Sequence, residues 1–134
     1  MKENTMLTVA SLLTVILLTF HLADDIVRGF EKGQLSTLNA VPICVLWLYG
    51  TLVLAGRRSG YIIVLIGSLL GLFVPYVHMR GRGVGLESRI GNTEGALFFV
   101  WALLAAGVTS LFSIILSLRG LWSLRRAARR QQQA

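Results

Sequence analysis

The chain has 134 residues, of which 54% are hydrophobic and 14% charged, with a mean hydropathy of +0.70. A soluble domain carries about 25% charged residues, so this composition excludes an ordinary soluble protein and predicts a membrane protein or a buried subunit of one. The length suits one domain. The formal net charge is +7. The single cysteine, Cys44, excludes an intrachain disulfide and a cysteine-based zinc motif.

Four apolar segments free of charged residues predict an all-α membrane protein, a four-helix transmembrane bundle in one domain. They cover residues 6–23, 38–55, 61–78 and 95–118. A helix of about 18 residues is about 27 Å long, close to the hydrocarbon core of about 30 Å. The apolar runs are continuous rather than alternating, which disfavours membrane strands. A basic tail, residues 119–134, follows the fourth segment.

The charges divide unequally between the two ends of the predicted bundle. The N-terminus, the turn at 56–60 and the tail carry eight basic residues and one acidic residue, whereas the opposite loops carry five of each. The positive-inside rule therefore predicts that both termini are cytoplasmic.

Four arginines of the tail share one helical stripe beside Trp122, and no RNA-binding motif accompanies them. They are predicted to lie against anionic lipid headgroups, with an acidic cytoplasmic partner as the alternative. The stripe comprises Arg125, Arg126, Arg129 and Arg130. Nucleic acid is not expected as a partner.

Ionisable residues gather at the opposite, outer end of the predicted bundle. His21 and Asp25 are one helical turn apart, and His78 ends the third segment. Small residues on the fourth segment form a stripe that leads through Phe98 to Glu94. If these faces turn inward, His21, Asp25, His78 and Glu94 meet in one cluster.

Three interpretations of this cluster are open from the sequence. Two imidazoles with carboxylates suit zinc, iron or manganese. A histidine beside a carboxylate also suits acid–base chemistry or ligand binding. The third interpretation is a local pair of His21 and Asp25 at a helix end, where polar residues are tolerated far better than at the bilayer centre.

Two further features bear on the cluster. Gly67 and Gly71 form a small-xxx-small pair, which predicts close helix packing on the face that carries His78. The glycine-rich loop 79–94 can fold over the cluster, and its arginines can hold an anionic headgroup or a carboxylate; otherwise it is a simple connector. These predicted ligand-binding residues are Arg80, Arg82 and Arg89.

The stretches "FHLADDIVRG", "LWLYGTLVLAGRRSGY" and "LRGLWSLR" resemble those of small four-helix bacterial inner-membrane proteins of unassigned function. This resemblance implies a helical bundle in a bacterial inner membrane and no particular activity. The sequence favours an accessory or interaction protein, with a membrane partner or a second copy. The alternative is an enzyme or binding protein for a lipid-like or small polar ligand at the outer cluster. The sequence assigns no cofactor.

Overall fold

The computed structural model describes residues 2–27, 29, 40–80 and 95–133. Within these ranges the chain is helical and forms four α helices, which confirms the predicted fold class at this level. The helices are α1 (Lys2–Val27), α2 (Ala40–Leu52), α3 (Arg58–Arg80) and α4 (Ala96–Gln133).

Three of the described helices, α1, α3 and α4, are long and apolar enough to cross a membrane. They extend beyond the predicted segments, because apolar side chains mark only the part that suits hydrocarbon, whereas helical hydrogen bonding continues into polar flanks. The predicted tail, in particular, continues α4 without a break to Gln133.

Helix α2 differs from the predicted segment 38–55. It has 13 residues and ends at Leu52, so it is only about 20 Å long. The chain then turns over residues 53–57, although Val53, Leu54 and Ala55 are still apolar. Gly56 has φ 76°, a left-handed conformation that glycine adopts readily. The backbone at Gly60 approaches the Leu54 carbonyl so closely that no Cβ would fit there.

The helices form an up-down-up-down bundle. Helix α4 packs extensively against α1 and α3, whereas α1 and α3 touch one another much less. Gly67 and Gly71 both lie at helix contacts. A Cβ at Gly67 would lie 2.5 Å from the Trp47 ring, and one at Gly71 would lie 2.6 Å from Ser110 Oγ.

A closed set of hydrogen bonds joins α1 to the short helix α2. Trp47 Nε1 donates to Ser11 Oγ at 2.8 Å, and the hydroxyls of Ser11 and Thr51 lie 2.7 Å apart. The Thr51 hydroxyl donates its hydrogen bond to the Trp47 carbonyl at 2.9 Å. The Ser11 hydroxyl is therefore the donor in its hydrogen bond with Thr51. All three side chains are buried, and this network fixes α2 against α1.

At the end of the bundle where α1 begins, Tyr61 of α3 contacts both α1 and α4. Its hydroxyl donates a hydrogen bond to Asn4 of α1. Its ring lies against Gly120 of α4, where a Cβ would collide with it. Asn4, Tyr61 and Gly120 are therefore at the same depth along the bundle.

Candidate metal centre

His21, Asp25 and His78 lie together at the other end of the bundle. His21 Nε2 is 3.3 Å from Asp25 Oδ2, and His78 Nε2 is 3.5 Å from the same oxygen. One ligand atom from each residue lies within 4.8 Å of the other two. Helix α1 presents His21 and Asp25 on one face because they are one turn apart, and α3 supplies His78.

Phe99 of α4 packs against both histidines. Its ring centroid is 5.0 Å from that of His21 and 5.9 Å from that of His78. The side chain is only 1% exposed, whereas Phe98, which the sequence placed on the inward stripe, is 52% exposed. The prediction that Phe98 faces inward was therefore wrong. The inward residue is its neighbour Phe99, about 100° further around the helix. The buried ring of Phe99 thus packs against both imidazoles on the side that faces the bundle interior.

The tautomer of His78 follows from its contacts. His78 Nδ1 lies 2.9 Å from the carbonyl of Val74, one turn earlier in α3. A carbonyl only accepts, so Nδ1 carries the proton, and in the neutral ring Nε2 presents its lone pair to Asp25. Histidines that bind metals are commonly oriented in this way, with the second ring nitrogen donating to a backbone carbonyl.

Several polar atoms of the cluster lack a conventional hydrogen bond. Both ring nitrogens of His21 and Asp25 Oδ1 are buried without a hydrogen-bond partner among the described residues. A charge-assisted N–H···O bond spans about 2.7–2.9 Å, so the separations of 3.3 and 3.5 Å are longer than such bonds. A ring N–H of His21, a ring lone pair of His21 and one carboxylate oxygen of Asp25 are therefore left without hydrogen-bond partners among the described residues.

The rings of His21 and His78 lie in edge contact, with no space between them for a planar cofactor. Their centroids are 4.5 Å apart and their planes meet at 79°. Donor atoms from both rings and from Asp25 instead surround one small volume, which suits a single ion or a proton shared among them.

The remaining predicted site residues all belong to the segment 79–94. Glu94, Arg82 and Arg89 lie outside the described residues, and for Arg80 only its position at the end of α3 is described. Their participation in the cluster stays a prediction.

The predicted headgroup arginines are exposed on the last turns of α4. They are Arg125, Arg126, Arg129 and Arg130. The guanidinium of Arg126 lies over the Trp122 ring, 3.6 Å from its centroid. The stripe predicted beside Trp122 thus belongs to a continuous helix rather than to a separate element.

Comparisons of the chain with protein-family models, with curated proteins and with solved structures found no match.

Proposed function

We propose that this protein is a small membrane bundle that binds a divalent transition-metal ion, of the zinc type, through His21, Asp25 and His78. The observation that carries the proposal is the convergence of three donor atoms, from two helices, within 4.8 Å of one another. An alternative use of the same residues is a proton-binding site, in which one imidazolium pairs with the carboxylate.

The distances between the ligand atoms favour a bound metal ion over a hydrogen-bonded proton site. Ligand atoms at about 2.0–2.1 Å from a tetrahedral zinc ion lie about 3.3–3.4 Å from one another. The two separations from Asp25 Oδ2, 3.3 and 3.5 Å, match such an edge and exceed a charge-assisted hydrogen bond. The two histidine donors lie within 4.8 Å of one another, and they would have to move closer together to ligate one ion.

The charge balance of the cluster also favours a cation. Asp25 is 5% exposed and His21 is 4% exposed, and an ionised carboxylate is costly to bury unless it is paired or coordinates a metal. A divalent ion would satisfy Asp25 Oδ2 and both Nε2 lone pairs at once. Three protein ligands would leave a fourth position for water or a small ligand, as in catalytic zinc sites.

The membrane setting is part of the proposal. We place all four helices across the bilayer, the short α2 included, with both termini cytoplasmic, which puts the metal site at the outer face; the excess of arginine at the terminal end supports this. The resemblance to small bacterial proteins supports an inner membrane. An accessory role in a larger complex is compatible with a metal site.

Metal content of the purified protein tests the proposal. Protein extracted in mild detergent, loaded with zinc and desalted should hold close to one ion per chain by elemental analysis. Asp25→Asn should lose the ion, whereas the adjacent Asp24→Asn is a matched control that should keep it. His21→Gln and His78→Gln should behave like Asp25→Asn while eluting as wild type on size exclusion. A wild-type protein that takes up no zinc, iron or manganese would refute the metal site.

A further inference from the structure

We propose that the groove between α1 and α4 on the outside of the bundle binds an anionic phospholipid. The groove has a volume of about 560 Å³. On α1 it extends from Thr5 to Leu13, and on α4 from Val108 to Ile115. The inference requires the membrane placement proposed above, but it does not require the metal site.

The walls of the groove are hydrocarbon. Thr5 and Thr109 are the only polar residues among the described residues that line it. The Thr109 hydroxyl donates within its own helix, to the carbonyls of Ala105 and Ala106 at 2.9 and 3.2 Å. It therefore presents its methyl group, which suits an acyl chain rather than a polar ligand.

The length of the groove corresponds to one leaflet. From Thr5 to Leu13 a helix rises about 12 Å, and half of the hydrocarbon core is about 15 Å thick. The groove begins near the terminal end of the bundle and stops short of the metal site. A lipid of the leaflet on the side of the termini would fit it, and one of the opposite leaflet would not.

Positive charge lies beyond the terminal end of the groove. Arg119 follows Ile115 by one turn on the same face of α4. Trp122 and Arg126 continue that face and stack on one another. Because Asn4 and Gly120 both contact Tyr61, Arg119 is level with the start of α1. A lipid phosphate above the acyl chain would meet these basic groups.

A second copy of this chain fits the groove less well than a lipid. In a two-fold dimer within one membrane, the same surface of both copies would face each other. Arg119 and Arg126 of each copy would then approach their own equivalents, and like charges across an interface oppose association. An anionic phospholipid has the complementary charge at the end where the arginines are.

Lipid binding to the delipidated protein in detergent tests the inference. Native mass spectrometry with dioleoyl-phosphatidylglycerol and dioleoyl-phosphatidylcholine should show preferential retention of the anionic lipid. Val9→Trp fills the groove and should abolish the bound lipid. The matched control Ile66→Trp, on an equally exposed position of α3 outside the groove, should retain it. Arg119→Gln should weaken phosphatidylglycerol binding about fivefold, and Arg130→Gln should change it less.

Equal retention of the two lipids by wild type, or unchanged phosphatidylglycerol binding in both Val9→Trp and Arg119→Gln, would overturn the proposal. A dimer that Val9→Trp converts to a monomer without lipid present would overturn it in favour of a second copy. Zinc content measured on the same samples separates the two sites: wild-type protein that holds zinc but shows no preference for phosphatidylglycerol is a failure of the groove proposal alone.

Discussion

The imidazole rings of His21 and His78 meet edge to face, with centroids 4.5 Å apart and an angle of 79° between their planes. The two residues belong to α1 and α3. These helices lie on one diagonal of the bundle and make few other contacts with each other. Asp25 bridges the Nε2 atoms of both rings. A bound ion would thus join two helices that the rest of the packing holds together mainly through α4.

Zinc is expected to stabilise the bundle against heat. An ion that binds only the folded state stabilises it by about 2.7 kcal/mol when its concentration is about one hundred times its Kd. The midpoint temperature of thermal unfolding in detergent should therefore rise with added zinc and fall back when a chelator is added. The shift should be absent in His78→Gln. An equal shift in that variant would show that zinc acts elsewhere on the chain.

Acidification should weaken metal binding. Imidazole and carboxylate must be unprotonated to ligate, so binding releases protons and the affinity falls as the pH falls. A zinc titration repeated at about pH 7.5 and about pH 5.5, on either side of the ordinary histidine range, measures this. An affinity independent of pH over that interval would argue against histidine ligands.

Phe99→Ala should destabilise the bundle, by about 3–5 kcal/mol if the cavity stays open, and should weaken metal affinity because the rings lose their support. Phe98→Ala is the matched control: Phe98 is 52% exposed against 1% for Phe99, so its loss should change stability little. Denaturant unfolding of both variants in detergent makes the comparison. Equal effects would mean that Phe99 is not the inward residue.

Gly67→Ala should destabilise the packing of α3 on α2. Its Cβ would lie 2.5 Å from the Trp47 ring, which Ser11 holds in place, and overpacking of this kind costs about 1–3 kcal/mol. Gly71→Leu should be at least as damaging. Gly107→Ala is the control, since its Cβ would meet only Pro75, at 3.2 Å. Thermal midpoints in detergent should fall for Gly67→Ala and Gly71→Leu and change little for Gly107→Ala.

Ser11→Ala should leave the indole N–H of Trp47 without its acceptor and Thr51 without its donor. An unsatisfied buried group costs about 1–3 kcal/mol. Thr14→Val removes a buried hydroxyl that bonds only its own helix, to Ala10 at 2.9 Å, and should cost less. Tryptophan fluorescence and thermal unfolding can compare the two variants. A smaller loss for Ser11→Ala than for Thr14→Val would contradict the directed chain of hydrogen bonds.

The sequence by itself determined the helical class and the approximate helix positions, because hydrophobicity and helical hydrogen bonding are local properties of a segment. It also brought His21 and Asp25 to one face, since a spacing of four residues closes one turn. Helix lengths were less well determined: the apolar run of the second segment continues past Leu52, but Gly56 and Gly60 allow the chain to turn there.

The tertiary structure alone decided how far each helix is rotated about its axis. Phe98 and Phe99 are chemically identical neighbours about 100° apart around α4, and only the packing of α4 against α1 and α3 turns Phe99 onto the histidines. The same packing brings His78 to Asp25 across the diagonal of the bundle. Helix periodicity fixes which residues share a face, whereas the fit of side chains between helices fixes which face points inward.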